Sequence, residues 1–168
     1  MPAVAERKNK SGSDAAGMWF RLPCRLDLWR ALPEGLRRPA CLFAAAYLID
    51  TIIRKTADGG TDGEGYVRLH SEVLRRVLSR RNYPAVFAAL VQGGIVETSP
   101  HVAGVQATGY RLASRFNRGG VKWVRVNNGA GVRKVQAEQE RLRRVQERAQ
   151  QATWRPIDWV LLDMLRSL

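Results

Sequence analysis

Leu90-Val91-Gln92-Gly93-Gly94-Ile95-Val96-Glu97 is the stretch on which the fold turns. Before its glycines, Tyr83, Val86, Phe87, Leu90 and Val91 recur at helical spacing, so a helix starting near 82–84 buries them. After them, Ile95-Val96-Glu97 is short and β-branched, the mark of a strand. So tight a passage from helix to strand needs a residue in the left-handed region. Gly93 or Gly94 is therefore expected to have a positive φ. Tyr110-Arg111-Leu112 reads as the returning strand of a hairpin whose tip, 99–109, carries His101, Gln106 and Thr108.

Upstream, Ser71 suits the N-cap of a helix running to about Ser79, with Val73, Leu74, Val77 and Leu78 inward and Arg75, Arg76 and Arg80 outward. Tyr66-Val67-Arg68-Leu69 is a short strand before it. Earlier still, Pro39 opens a helix with Leu42, Ala46, Ile49 and Ile53 on one stripe, flanked by Phe43 and Tyr47. That helix stops in the turn-rich acidic loop 58–65. Residues 18–36 are too apolar for a linker and read as a strand or turn followed by a short helix. Residues 1–17 read as a disordered basic arm.

Downstream, 121–126 is one more strand, inside a strand-and-linker segment of 119–131. Residues 132–153 form a charged helix, with Glu138–Arg141 and Glu140–Arg144 as supporting pairs. A coiled-coil seam there is poor, because it spans under three heptads and puts Gln139 in a core slot. Pro156 suits a first helical turn, so 154–168 is expected to be a separate, very apolar helix containing Trp154 and Trp159. So much apolar surface needs a cover, and a second copy or a partner protein is the expected one.

The order of elements in 40–112 (helix, strand, helix, tight turn, helix, hairpin) resembles the winged helix-turn-helix superfamily. Residues 66–69, 90–97 and 109–112 carry the resemblance. It implies an α+β, helix-rich fold of three helices plus a β-hairpin wing, over 18–118, with a charged C-terminal helical extension. The wing closing in Gly109-Tyr110-Arg111-Leu112 is also similar to the N-terminal regions of some plasmid and phage replication-type proteins. The resemblance implies a DNA-binding protein of replication initiation or transcriptional control in a bacterial or mobile-element genome. A protein-interaction adaptor, docking through the winged helix and the Trp-rich end, is the alternative.

Charge points the same way. Twenty-eight Lys and Arg stand against fifteen Asp and Glu, a net +13, which favours a polyanionic partner. Between Tyr66 and Arg118 there are eight arginines and two acids, a local +6. The candidate contacts to duplex DNA are Arg75, Arg76, Arg80, Arg81 and Arg111, which suit phosphates, with Asn82 and Gln92 as the side chains able to read base edges. Arg80 and Arg81 are placed at the start of the third helix, and its outward face is expected to hold Asn82, Ala85, Ala89 and Gln92.

Other chemistry lacks its residues. No Gly-rich loop ends in Lys-Ser or Lys-Thr, and His70 and His101 have no partners at metal spacing. Asp58, Asp62 and Glu64 read as a solvated loop. Cys24 and Cys41 form no ligand or disulfide pattern and read as small buried residues of a reducing compartment. The expectation is a cytoplasmic protein that is not an enzyme and has no cofactor, metal or membrane span.

Overall fold

The computed structural model describes residues 17–99 and 108–166. Residues 1–16 of the expected arm, the expected hairpin tip with His101 and Gln106, and the side chains of 152–168 lie outside the described residues, while Gly17, read as the end of that arm, opens a strand. In order come β1 (Gly17–Pro23), α1 (Leu28–Ala31), a 3₁₀ turn (Glu34–Leu36), α2 (Pro39–Ala57), β2 (Val67–Arg68), α3 (Ser71–Val77), α4 (Tyr83–Gln92), β3 (Val96–Thr98), β4 (Gly109–Leu112), α5 (Ser114–Asn117), β5 (Val121–Asn127) and α6 (Gly129–Arg166). The fold is α+β, mostly helical, with two small antiparallel sheets.

Helix α2 is the centre. Pro39 lies in its first turn, where a missing N–H costs nothing. The expected single apolar stripe becomes burial all round, because every residue from Phe43 to Asp50 is buried. Ala44, Ala45 and Ala46 leave room for neighbours to approach on several sides, and both sheets and α4 pack against the helix. Leu42 and Ile53, the ends of the expected stripe, are only half-buried. Of the cysteines, Cys41 is buried as expected but Cys24 is exposed.

Strands β1 and β5 pair antiparallel along their full lengths, Gly17 opposite Asn127 and Pro23 opposite Val121. Phe20 and Leu22 point inward, and Phe20 meets Phe43 and Tyr47 edge-on at centroid distances of 5.2 and 6.4 Å. Trp19 and Trp123 point outward, 58% and 62% exposed. The packed body thus extends past 118, and the segment read as strand and linker closes the sheet beside α2.

The second sheet has the order β2-β4-β3. Glu97 lies opposite Arg111 in it, and Val67 opposite Tyr110. Gly94 has φ +61° while Gly93 keeps an ordinary −73°, so the left-handed residue that ends α4 is the second glycine. Arg115 completes this turn by donating Nη2 to the carbonyls of Gly93 and Gly94 at 2.9 and 2.8 Å. Helix α3 starts one residue earlier than expected. Ser71 is its first residue, and His70 occupies the cap position without a side-chain hydrogen bond.

Helix α6 runs unbroken from Gly129 to Arg166, where two helices were expected. Asn128 accepts the Gly131 N–H at 3.3 Å and so caps its start. Val132, Val135 and Glu138 are buried, and Glu138 forms a clasp between α6 and α3. It takes two hydrogen bonds from Arg141, 3.0 and 2.8 Å, and lies 3.5 Å from Arg76 Nη1. The Arg141 hydrogen bonds hold the Glu138 carboxyl below its usual range; partial burial opposes them and the charges of Arg141 and Arg76 add to them. A carboxyl depressed on folding stabilises above its unfolded pKa, about 4.3 for glutamate, and that stability is lost as pH falls through the lowered value. Below about pH 4.3, the melting temperature of the native chain is therefore expected to fall more steeply than that of Glu138→Gln. Parallel curves would show that the clasp adds nothing to stability.

Candidate nucleic-acid interface

Helices α3 and α4 are joined by a tight turn in which Ser79 O accepts the N–H groups of Asn82 and Tyr83, at 3.1 and 2.9 Å. Arg80 and Arg81 form the exposed apex of this turn, immediately ahead of α4, at the helix start where they were expected. Arg75, on the outer side of α3, is exposed as well. No ion pair links these three arginines to an acid among the described residues. Asn82 caps α4 without a side-chain hydrogen bond, so the first-turn N–H groups of α4 gain nothing from it.

The exposed face of α4 carries Pro84, Ala85, Ala88 and Gln92, while Val86, Ala89 and Leu90 are buried. Ala89 was expected outside; the phase of the helix puts Ala88 there instead. Asn82 is half-buried and Gln92 is exposed at the far end, about 15 Å apart at 1.5 Å per residue. The two base-reading candidates are therefore not brought together, and the surface between them is methyl-lined. Tyr83, Phe87 and Tyr110 brace the inner side of α4 on β4, with ring centroids 6.0 and 4.7 Å apart. Burial pushes both tyrosine hydroxyls up. A depression of about 680 Å³ separates α4 from the base of the hairpin, with Ala88, Gln92, Thr98 and Thr108 on its walls.

Two candidate arginines have partners within the fold. Arg76 pairs with Glu72 along α3 and reaches Glu138 on α6. Arg111 donates to Glu97 at 2.8 Å and to the Glu64 carbonyl at 2.8 Å, and its guanidinium lies 4.3 Å from the Tyr66 ring centroid. Its proton is held more tightly than usual, chiefly by the hydrogen bond to Glu97. Both side chains fasten elements together. Neither the Glu97–Arg111 pair, which the strand register creates, nor the reach from Arg76 to Glu138 was read from the sequence.

The acidic loop is also accounted for. Asp62 accepts the N–H groups of Glu64 and Tyr66 at 3.0 and 2.9 Å, which shapes the turn into β2. Among the described residues no group of three or more His, Cys, Asp or Glu could hold a metal ion, and no helix is long and apolar enough to cross a membrane. Comparison with family models, curated proteins and solved structures returns no match.

Proposed function

We propose that this protein is a winged-helix DNA-binding protein that acts in replication initiation or transcriptional control. It grips duplex phosphates through Arg75, Arg80 and Arg81 and lays the exposed face of α4 along the major groove. The observation that carries the reading is the cluster of three exposed arginines, without acidic partners among the described residues, on the turn that leads into α4. A helix with small outward residues can approach a groove about 12 Å wide, and arginines at its entrance supply affinity that does not depend on sequence. Gln92 alone offers amide chemistry on the exposed face of α4, so backbone contacts dominate this mode.

Changing Arg80 and Arg81 together to alanine tests it. Duplex binding should weaken, and the slope of log K against log salt should become shallower by about 0.9 for each phosphate no longer neutralised. An unchanged slope removes both residues from the interface. A docking role for α6 is favoured by one observation, the exposure of Leu142 and Val145 on a stretch whose every side chain from 141 to 151 is exposed.

A further inference from the structure

The outward face of the β1–β5 sheet has no part in the duplex reading, yet it holds the two most exposed large hydrophobic side chains among the described residues. Trp19 lies opposite Arg125, and Trp123 opposite Arg21. Because these pairs are two residues apart on each strand, the four side chains share one face, with each indole diagonal to the other. Diagonal neighbours in an antiparallel pair are about 7–8 Å apart, within reach for large aromatic groups. The Arg21 guanidinium lies 5.9 Å from the Trp123 ring centroid. Beside this face runs a groove of about 310 Å³, lined among others by Trp19, Trp123, Arg54 and Leu142.

The charges around the groove are layered. Its two acids, Asp50 and Glu138, have side chains only 11% and 8% exposed. Asp50 is held by Arg21 and Arg54, and Glu138 by Arg76 and Arg141. The carboxylates lie beneath and the guanidiniums above, so what solvent meets is cationic. A second copy of the chain would set arginine against arginine here. Flat indoles beside guanidiniums instead match a ligand that alternates flat rings with anions.

We propose that this face binds single-stranded nucleic acid, with two bases stacked on Trp19 and Trp123 and the neighbouring phosphates drawn to the solvent-facing N–H groups of Arg21 and Arg54. Every base has a π-face, so the platform takes any sequence. It is a different surface from the turn at Arg80 and Arg81, and neither proposal depends on the other.

The test uses the full chain with fluorescein-labelled dT12 and rU12, read by anisotropy. Binding of either strand at low salt is expected, and the tighter one identifies the natural sugar. Trp19→Ala with Trp123→Ala should weaken that binding by roughly tenfold per indole removed. The salt slope should stay unchanged, since no charge is removed. Trp19→Phe with Trp123→Phe should recover most of the affinity, and Trp29→Ala, an exposed indole outside the β1–β5 sheet, should have no effect. Arg80→Ala with Arg81→Ala should weaken duplex binding while leaving dT12 bound, which separates this site from the proposed duplex site. Should the alanine pair fail to fold, the indole N–H resonances of the native chain decide: those of Trp19 and Trp123 shift on titration with dT12 or rU12. Stationary indole signals at saturating strand overturn the proposal. So does undiminished binding by a folded alanine pair, or binding of an oligoglutamate peptide in place of both strands.

Discussion

Replacing Gly131 by valine is expected to destabilise the protein by about 3 kcal/mol, the upper end of what overpacking a core usually costs. Gly131 lies in the first turn of α6, where the helix crosses the aromatic core. A Cβ there would stand 2.6, 2.7 and 2.9 Å from Cε1, Cδ1 and Cζ of Phe43. That ring cannot withdraw, since it is fully buried and braced edge-on by Phe20. Helix propensity acts in the opposite direction. An alanine or valine in place of a helical glycine gains at most about 1 kcal/mol, so the clash decides the sign. The urea midpoint, followed by near-ultraviolet circular dichroism of the core aromatics, should drop sharply. A variant as stable as the native chain would mean that α6 does not cross Phe43 this closely.

The second large effect is expected at Asp50, a carboxylate buried in the middle of α2. Its Oδ1 accepts the Arg21 backbone N–H at 2.9 Å and the Arg21 Nε at 3.1 Å, and Arg54 Nε lies 3.0 Å from Oδ2. Asp50→Ala leaves two guanidiniums and a backbone N–H without their acceptor, and breaking a buried pair costs about 3–5 kcal/mol. The Arg21 and Arg54 side chains remain 25% and 45% exposed, so water restores part of the loss. The expected figure is therefore near the bottom of that range, about 3 kcal/mol. Asp50→Asn keeps an acceptor for the N–H and should cost about half as much. A loss below about 1 kcal/mol for the alanine variant would class the cluster with surface ion pairs.

What could be read from the sequence was what local periodicity encodes. Helix α2, strand β2, helices α3 and α4, the left-handed glycine and the hairpin all follow from spacing within a dozen residues. The β1–β5 pairing did not, because its strands come from opposite ends of the packed body. Trp19-Phe20-Arg21-Leu22 alternates plainly, but alternation names no partner. Arginine-rich stretches announce a cationic surface, yet cannot say that Arg76 is engaged by an acid on α6. Arg115 escaped notice for the same reason, since its acceptors are carbonyls brought near by folding. Pro156 was read as a helix start because its N–H is missing. In the structure it lies within α6, and the turns on either side carry the helix past it.

Helix α6 has a consequence for what unfolding means in this molecule. At 1.5 Å per residue its 38 residues extend about 57 Å. Its first turns are buried against the core, whereas every side chain from 141 to 151 is exposed. Burial makes the first part melt with the body, all at once. Beyond Arg141, which Glu138 holds, the exposed part is supported mainly by its own propensity and by the arginine–glutamate pairs at Glu140 and Glu147, and helices so supported fray gradually in water. Pro156 interrupts the hydrogen-bond ladder farther along, because it has no N–H to donate. The chain is thus two cooperative units on one backbone, one sharp and one diffuse. The unfolding free energy read from the core aromatics is that of the packed body alone, and helical signal and core-aromatic signal are expected to disappear at different temperatures.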